Sequence, residues 1–225
     1  MLEIRHRKTR EVLLEIDADS LSDRKISGAR LRGADLAGAD LSGSELINTD
    51  LRDADLAGAN LSDCSLNGIY LEGANLVHAD LRRANLTDAH LHHADLQEAK
   101  LQSAILRYAQ LREATLIAAD LSEADLSMSD LRADLRKARL IRADLRAADL
   151  SGANFHGADL QEANLTGAKL LGAQFTGANV MGMIDVHGNK VHVQASPPPS
   201  AKRGQRRAPR HMKSAQPWWK FWARA

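Results

Sequence analysis

Ala34-Asp35-Leu36-Ala37-Gly38-Ala39-Asp40-Leu41-Ser42-Gly43 decides the fold, because two pentads of one design stand back to back in it: Ala, Asp, Leu, then two residues ending in Gly. Outward from it, Leu recurs every five residues, through Leu31, Leu36, Leu41, Leu51, Leu61, Leu81, Leu101 and Leu121 to Leu131. The count then resumes from Leu135 through Leu145 to Val180. Of the 31 central positions 28 are Leu, with Phe155, Phe175 and Val180 as the exceptions; two positions earlier 26 of the 31 are Ala, and between the two stands Asp 13 times and Asn six times. The repeat accounts for an odd composition. The 225-residue chain holds 37 Ala and 33 Leu but only eight aromatic residues, too uniform a set for a core of interlocking shapes.

A helix cannot use this spacing. At about 100° per residue a five-residue step turns about 140°, which scatters the leucines around the cylinder. In an extended chain, residues two apart share a face, so Ala and Leu point inward while the Asp or Asn between them points out. Two residues remain for a corner, and Gly at the second of them, as in Gly33, Gly38, Gly43, Gly58, Gly73, Gly152, Gly157, Gly167, Gly172 and Gly177, suits a type II turn. The pattern predicts a coil of short edges stacked about 4.8 Å apart around a dry interior, with the number of sides left open.

Over residues 29–180 these pentads resemble the pentapeptide-repeat family, in its Ala-Asp/Asn-Leu-X-X form. The resemblance implies an all-β fold: a right-handed, four-sided parallel β-helix of 20 residues per coil, with Leu at the central inward position. A 20-residue coil places Phe155 directly below Phe175, where the two rings stack. The expected organisation is an N-terminal hairpin and entry over 1–28, the β-helix over 29–182, a C-terminal hairpin over 183–194 turning at Gly188-Asn189, and a tail over 195–225. Both hairpins are expected to cap the open strand edges.

The tail differs in kind from the rest. It carries eight Lys or Arg and no acid, begins near Pro197-Pro198-Pro199, and ends in Pro217-Trp218-Trp219-Lys220-Phe221-Trp222-Ala223-Arg224-Ala225. Since the whole chain is +1, residues 1–194 sum to −7. The composition reads as a disordered basic segment with an aromatic tip, and Trp218, Trp219, Lys220, Phe221, Trp222 and Arg224 are the candidate contacts to a protein partner or an anionic membrane surface. Nonspecific nucleic-acid contact and docking on the acidic rod are the other uses such a tail allows. No apolar run approaches the length of a membrane span and the N-terminus lacks a signal peptide, so the expectation is a cytoplasmic protein, peripheral at the inner face of the membrane.

Within the rod, the rhythm slips between Leu131 and Leu135, where one corner residue is missing. Arg132, Arg136, Lys137 and Arg139, with Arg142 and Arg146, make a kinked basic girdle there, read either as a docking site or as a solvated surface around a tolerated deletion. Tyr70, His90 and His92 form a contact patch on one side. His90, His92 and His93 with Glu72 and Glu113 do not make a convincing metal site, and Arg32, Arg52, Arg112 and Arg132 form a column diluted by acids, so nucleic acid is not expected on the rod. Cys64 takes an inward small-residue position, and Ile69 replaces Ala inward, which predicts local swelling. No nucleotide-binding, zinc-protease or nucleophile-elbow motif occurs, so no enzyme activity, cofactor or metal is expected. The leading reading is a nonenzymatic interaction or scaffold rod. The alternative, implied by the resemblance, is a DNA-mimicking protein that binds DNA gyrase, for which the rod is only modestly acidic and its centre is Leu.

Overall fold

The computed structural model describes residues 1–191. Four pentads complete one coil, and each outward residue bridges in parallel to the residue 20 positions on, as Asp50 to Tyr70, Tyr70 to His90 and His90 to Gln110. Four sides result. Side 1 is centred on Leu31, Leu51, Leu71 and their successors, side 2 on the Leu36 series ending in Phe155 and Phe175, side 3 on the Leu41 series and side 4 on the Leu46 series.

One pentad shows how the backbone is satisfied. Leu51 N–H donates to Tyr70 O in the next coil (2.8 Å), Tyr70 N–H donates back to Thr49 O (3.0 Å), and Ala54 N–H closes the corner onto Leu51 O (3.1 Å). The outward Asp completes it: Asp50 Oδ1 accepts the N–H of Arg52, the first corner residue, at 3.2 Å. Asp80, Asp95, Asp120, Asp144, Asn60, Asn85 and Asn164 make the same bond two residues on. Short side chains that reach their own turn in this way explain why Asp and Asn, and not Glu or Gln, dominate this position.

Inside, the central residues are shut off from solvent, Leu41, Leu51, Leu81, Leu101, Leu121, Leu145 and Phe155 at 0 % exposure, with Leu31, Leu36, Leu61 and Phe175 at 5 % or less. The rings of Phe155 and Phe175 stack at 4.9 Å with planes 10° apart. Where the small inward residue is polar, it finds a carbonyl: one coil back for Ser44 Oγ to Leu21 O (2.8 Å), Thr49 Oγ1 to Ile26 O (3.0 Å) and Cys64 Sγ to Leu41 O (2.9 Å), and in its own turn for Ser129 Oγ to Leu126 O (2.7 Å). Burial pushes the Cys64 thiol up to about 11, against backbone N–H contacts from Ser44 and Gly43. Swelling at Ile69 does not occur in the ladder, where Tyr70 N–H to Thr49 O and His90 N–H to Ile69 O measure 3.0 and 2.9 Å as elsewhere.

The corners depart from the glycine rule. A positive φ at the second corner residue is general, and from His78 through Ala147 not one such corner is Gly: His78, Arg83, Asp88, His93, Glu98, Ser103, Tyr108, Glu113, Ala118, Glu123, Met128, Lys137, Arg142 and Ala147 take φ between 55° and 61°. Each non-glycine residue there costs about 1 kcal/mol, and the ladder holds them in place, as by Ala118 N–H to Arg136 O at 2.9 Å.

The slip is absorbed in a single corner. Ala133 N–H bonds Leu131 O (2.9 Å), a three-residue turn in place of the four-residue one. Bridges there span 19 residues, as Thr115 to Asp134 and Asp130 to Asp149, then return to 20 at Asp134 to Asn154. The ladder passes through unbroken.

At the N-terminal end β1 (Leu2–Arg5) pairs antiparallel with β2 (Val12–Ile16), and β1 continues onto the first coil through Asp35 N–H to Arg5 O (2.8 Å) and an antiparallel bridge from His6 to Ala34. At the other end the parallel ladder runs past residue 182 to the Asn164–Ile184 bridge, with Met183 buried. The turn expected at Gly188-Asn189 is wider. Asp185 Oδ1 accepts the N–H groups of His187 (2.9 Å) and Asn189 (2.8 Å), and one antiparallel bridge, Ile184 to Lys190, follows. The reason is local: a carboxylate that gathers two backbone donors makes a five-residue loop more favourable than a two-residue one. His192 and Val193 of the expected hairpin lie outside the described residues.

Candidate functional site

The coil brings residues 20 apart into columns, and on side 1 Tyr70 lies under His90 with ring centroids 4.9 Å apart and planes 9° apart. The Arg52 guanidinium stands 5.8 Å from the Tyr70 centroid, and His92 Nε2 meets Gln110 Oε1 at 2.9 Å. The structure therefore gathers Tyr70, His90 and His92 on one side, with the Tyr70 and His90 ring faces turned to each other and His92 held by Gln110. His93 pairs with Glu113 at 3.4 Å and His78 with Glu98 at 3.5 Å. No group of three metal-ligating side chains forms among the described residues.

The arginine column is tied down. Arg32 holds Asp53 (3.0 and 2.8 Å), Arg52 holds Asp50 (2.9 and 2.6 Å), Arg112 reaches Glu113 (3.3 Å) and Arg132 holds Asp130 (2.6 Å). The girdle is neutralised in the same manner. Arg136 bonds Asp134 (2.9 Å), Arg139 bonds Asp120 (3.0 Å), Arg142 bonds Glu123 and Arg146 bonds Asp144 (2.5 Å), while Lys137 has no ion pair among the described residues. The recurring geometry is Asp followed two residues later by Arg, an outward carboxylate beside the first corner position. The basic girdle counted along the chain is thus, Lys137 apart, a set of ion pairs in space.

These contacts set the acid response. Hydrogen bonds from Arg52 and Arg132 hold Asp50 and Asp130 below the ordinary carboxylate value of 3.8. At Asp80, Asp144 and Asp149 burial pushes upward, and bonds from Arg82, Arg146 and Ser151 outweigh it. Since the folded values lie below the unfolded value, the stabilisation is complete above about pH 4 to 5 and is lost as pH falls through the folded values. Thermal melts are expected to hold a flat midpoint from pH 7 to about 5 and to drop below about pH 4. A midpoint unchanged down to pH 2 contradicts the linkage.

Reasoning along the chain missed an apolar patch. Ile105 on side 4, with Tyr108 and Met128 one above the other at the following corner, stand 39 %, 44 % and 52 % exposed, and Arg107 lies 5.6 Å from the Tyr108 centroid. Tyr108 and Met128 also take positive φ, 59° and 60°. The available signal was two large apolar residues 20 apart at a corner position elsewhere mostly Gly or polar. Shallow cavities of about 340, 420 and 470 Å³ open on the rod, the first at the slip between Glu113, Arg132, Asp134 and Gln174. The tail candidates Trp218, Trp219, Lys220, Phe221, Trp222 and Arg224 lie outside the described residues.

Comparison with known proteins identifies the repeat. The family model for pentapeptide repeats matches in eight copies, over residues 25–63, 64–102, 94–132, 132–167 and 143–180. Among solved structures, the chain is similar to HetL, a pentapeptide-repeat protein involved in heterocyst differentiation regulation in the cyanobacterium Nostoc sp. strain PCC 7120. The two are 32 % identical over 77 % of this chain and 94 % of HetL, with a TM-score of 0.37. QnrB1, a plasmid-mediated fluoroquinolone resistance protein, is 23 % identical over 71 % of this chain and 76 % of its own, with a TM-score of 0.45. A protein of the Arabidopsis thaliana thylakoid lumen is 31 % identical over 53 % and 63 %, with a TM-score of 0.26. No curated protein sequence matches.

Proposed function

Because the chain belongs to the pentapeptide-repeat family, we propose that it is a nonenzymatic interaction rod, whose sides bind a protein partner and whose tail, residues 195–225, holds it to a partner or to an anionic membrane. In this reading the coil is right-handed, the β1–β2 hairpin and the loop after Ile184 cap its two ends, and the protein works in the cytoplasm at the inner membrane face.

The observation that carries the reading is the Ile105–Tyr108–Met128 patch. Large apolar side chains held exposed, two of them at corners of positive φ, cost stability that the interior packing does not explain. Aromatic and methionine side chains beside an arginine are the composition of protein-binding surfaces. Tyr108→Glu combined with Met128→Glu leaves the interior untouched, so the variant is expected to fold and to lose at least about tenfold in affinity for a partner captured by the full chain. Undiminished capture by the double variant argues against the patch.

The competing reading, a gyrase-binding DNA mimic, needs an open acidic surface; Asp50, Asp80, Asp130, Asp134 and Asp144 are each engaged by an arginine, while Asp40, Asp55 and Asp95 bond only uncharged groups, so the acidic surface is interrupted by arginine pairs. Purified protein is expected neither to inhibit supercoiling by DNA gyrase nor to relieve its poisoning by a quinolone; either effect would establish the competing reading.

A further inference from the structure

The loop between β1 and β2 is braced from within. His6 N–H bonds Glu11 O (2.8 Å), Arg10 N–H bonds His6 O (2.9 Å), and the N–H groups of Lys8 and Thr9 both point at His6 Nδ1 (3.2 and 3.1 Å). The imidazole packs on the corner of the first coil: a Cβ at Gly33 would stand 2.4 Å from His6 Nε2. Arg7 N–H clamps the loop to Gly33 O at 2.8 Å. Loop and corner thus form one rigid unit.

A cavity of about 470 Å³ opens between them, lined by His6, Arg7, Lys8, Arg32, Gly33 and Asp53. Arg32 is aimed by its Nε and Nη2 bonds to Asp53 Oδ2, which leave further guanidinium donors free. Arg7 and Lys8 have no ion-pair partner among the described residues, unlike Arg52, Arg82, Arg132, Arg136 and Arg146, each of which holds the Asp two residues before it. Three cations, Arg7, Lys8 and Arg32, stand in the cavity against the single carboxylate of Asp53, a surplus of two positive charges. That local surplus suits an anion.

We propose that this cavity binds a phosphate monoester. Such a group carries about −1.5 to −2 charge near pH 7 and three acceptor oxygens, matching both the surplus and the donor set of two guanidiniums and an ammonium. The braced loop presents these donors from a fixed backbone, which lowers the ordering cost of binding. Gly33 is required there on two counts, its φ of +68° and the imidazole packed on it.

The test is amide NMR of the full chain titrated with glycerol 3-phosphate, the N–H groups of Gly33 and Arg7 serving as reporters and that of Gly157 as a remote control. Saturable shifts at Gly33 and Arg7 are expected, with Kd on the order of 0.1–1 mM. Arg7→Glu with Lys8→Glu, both exposed, is expected to weaken binding at least about tenfold with Gly157 unmoved. A parallel arm uses vesicles containing phosphatidic acid. Effects of the vesicles on Gly33 and Arg7 that exceed those on Gly157, and exceed those of the soluble ester, assign the monoester to a lipid headgroup; stronger effects from the soluble ester assign it to a free metabolite. No saturable shift in either arm, or shifts that persist in the double variant, overturns the site. The soluble arm is read at Gly33 and Arg7, within the rod, so failure here and failure of tail binding are separately visible.

Discussion

Leu101→Asp is expected to dissolve the middle of the rod, at a cost of more than about 5 kcal/mol. Leu101 is wholly buried in the stack that runs through Leu81 below it and Leu121 above, and every neighbouring inward side chain is Leu or Ala. A carboxylate there meets no donor: the backbone N–H groups of these coils are committed to the ladder, as Leu101 N–H is to Asp120 O at 2.7 Å. The damage spreads because each coil is stable only on its neighbours, so one charged level uncouples the coils on either side. Urea denaturation followed by circular dichroism reads the effect. Leu101→Met, which conserves volume, should cost under about 1.5 kcal/mol, while the Asp variant should lose the cooperative transition of the parent. A transition within about 1 kcal/mol of the parent would contradict the dry, charge-free interior.

What could be read from the chain was whatever follows from one pentad at a time. Ala and Leu two apart share a face, so the interior and the extended edges are legible from spacing alone. The two-residue corner is legible as well, but its conformation is only half so: Gly33 or Gly38 announces a positive φ, whereas Tyr108 or Glu113 announces nothing, and only the ladder of the coils above and below forces it. Asp50 and its equivalents read as a polar coat because their acceptor role depends on the corner folding back within reach of their own side chain. Arg132, Arg136 and Arg146 read as a basic girdle for a similar reason, since a charge summed along the chain does not reveal which carboxylate each guanidinium reaches. The patch at Ile105, Tyr108 and Met128 is a property of the columns and becomes visible only when residues 20 apart are set side by side. The cavity over Gly33 needs the hairpin's path as well, which no periodicity contains.

Removal of residues 195–225 is the second large effect. The segment carries eight basic residues, no acid, three Trp and one Phe, and each basic side chain near an anionic surface contributes about 1 kcal/mol, with the aromatic rings suited to the headgroup level. Even a fraction of these acting together gives several kcal/mol, so the deletion is expected to reduce partitioning onto anionic vesicles by at least about 100-fold. The shortened chain keeps every hydrogen bond of the ladder described above, all of which lie within residues 1–191. Loss of binding therefore reports the tail and not the fold.

Cosedimentation of the full chain and of residues 1–194 with vesicles of phosphatidylglycerol, set against neutral vesicles of phosphatidylcholine, tests the division of labour between rod and tail most directly. The account predicts that the full chain pellets with the anionic vesicles, that it is released by raised salt, and that residues 1–194 stay in the supernatant. Equal pelleting of the two chains, or of the full chain with both vesicle types, would contradict it.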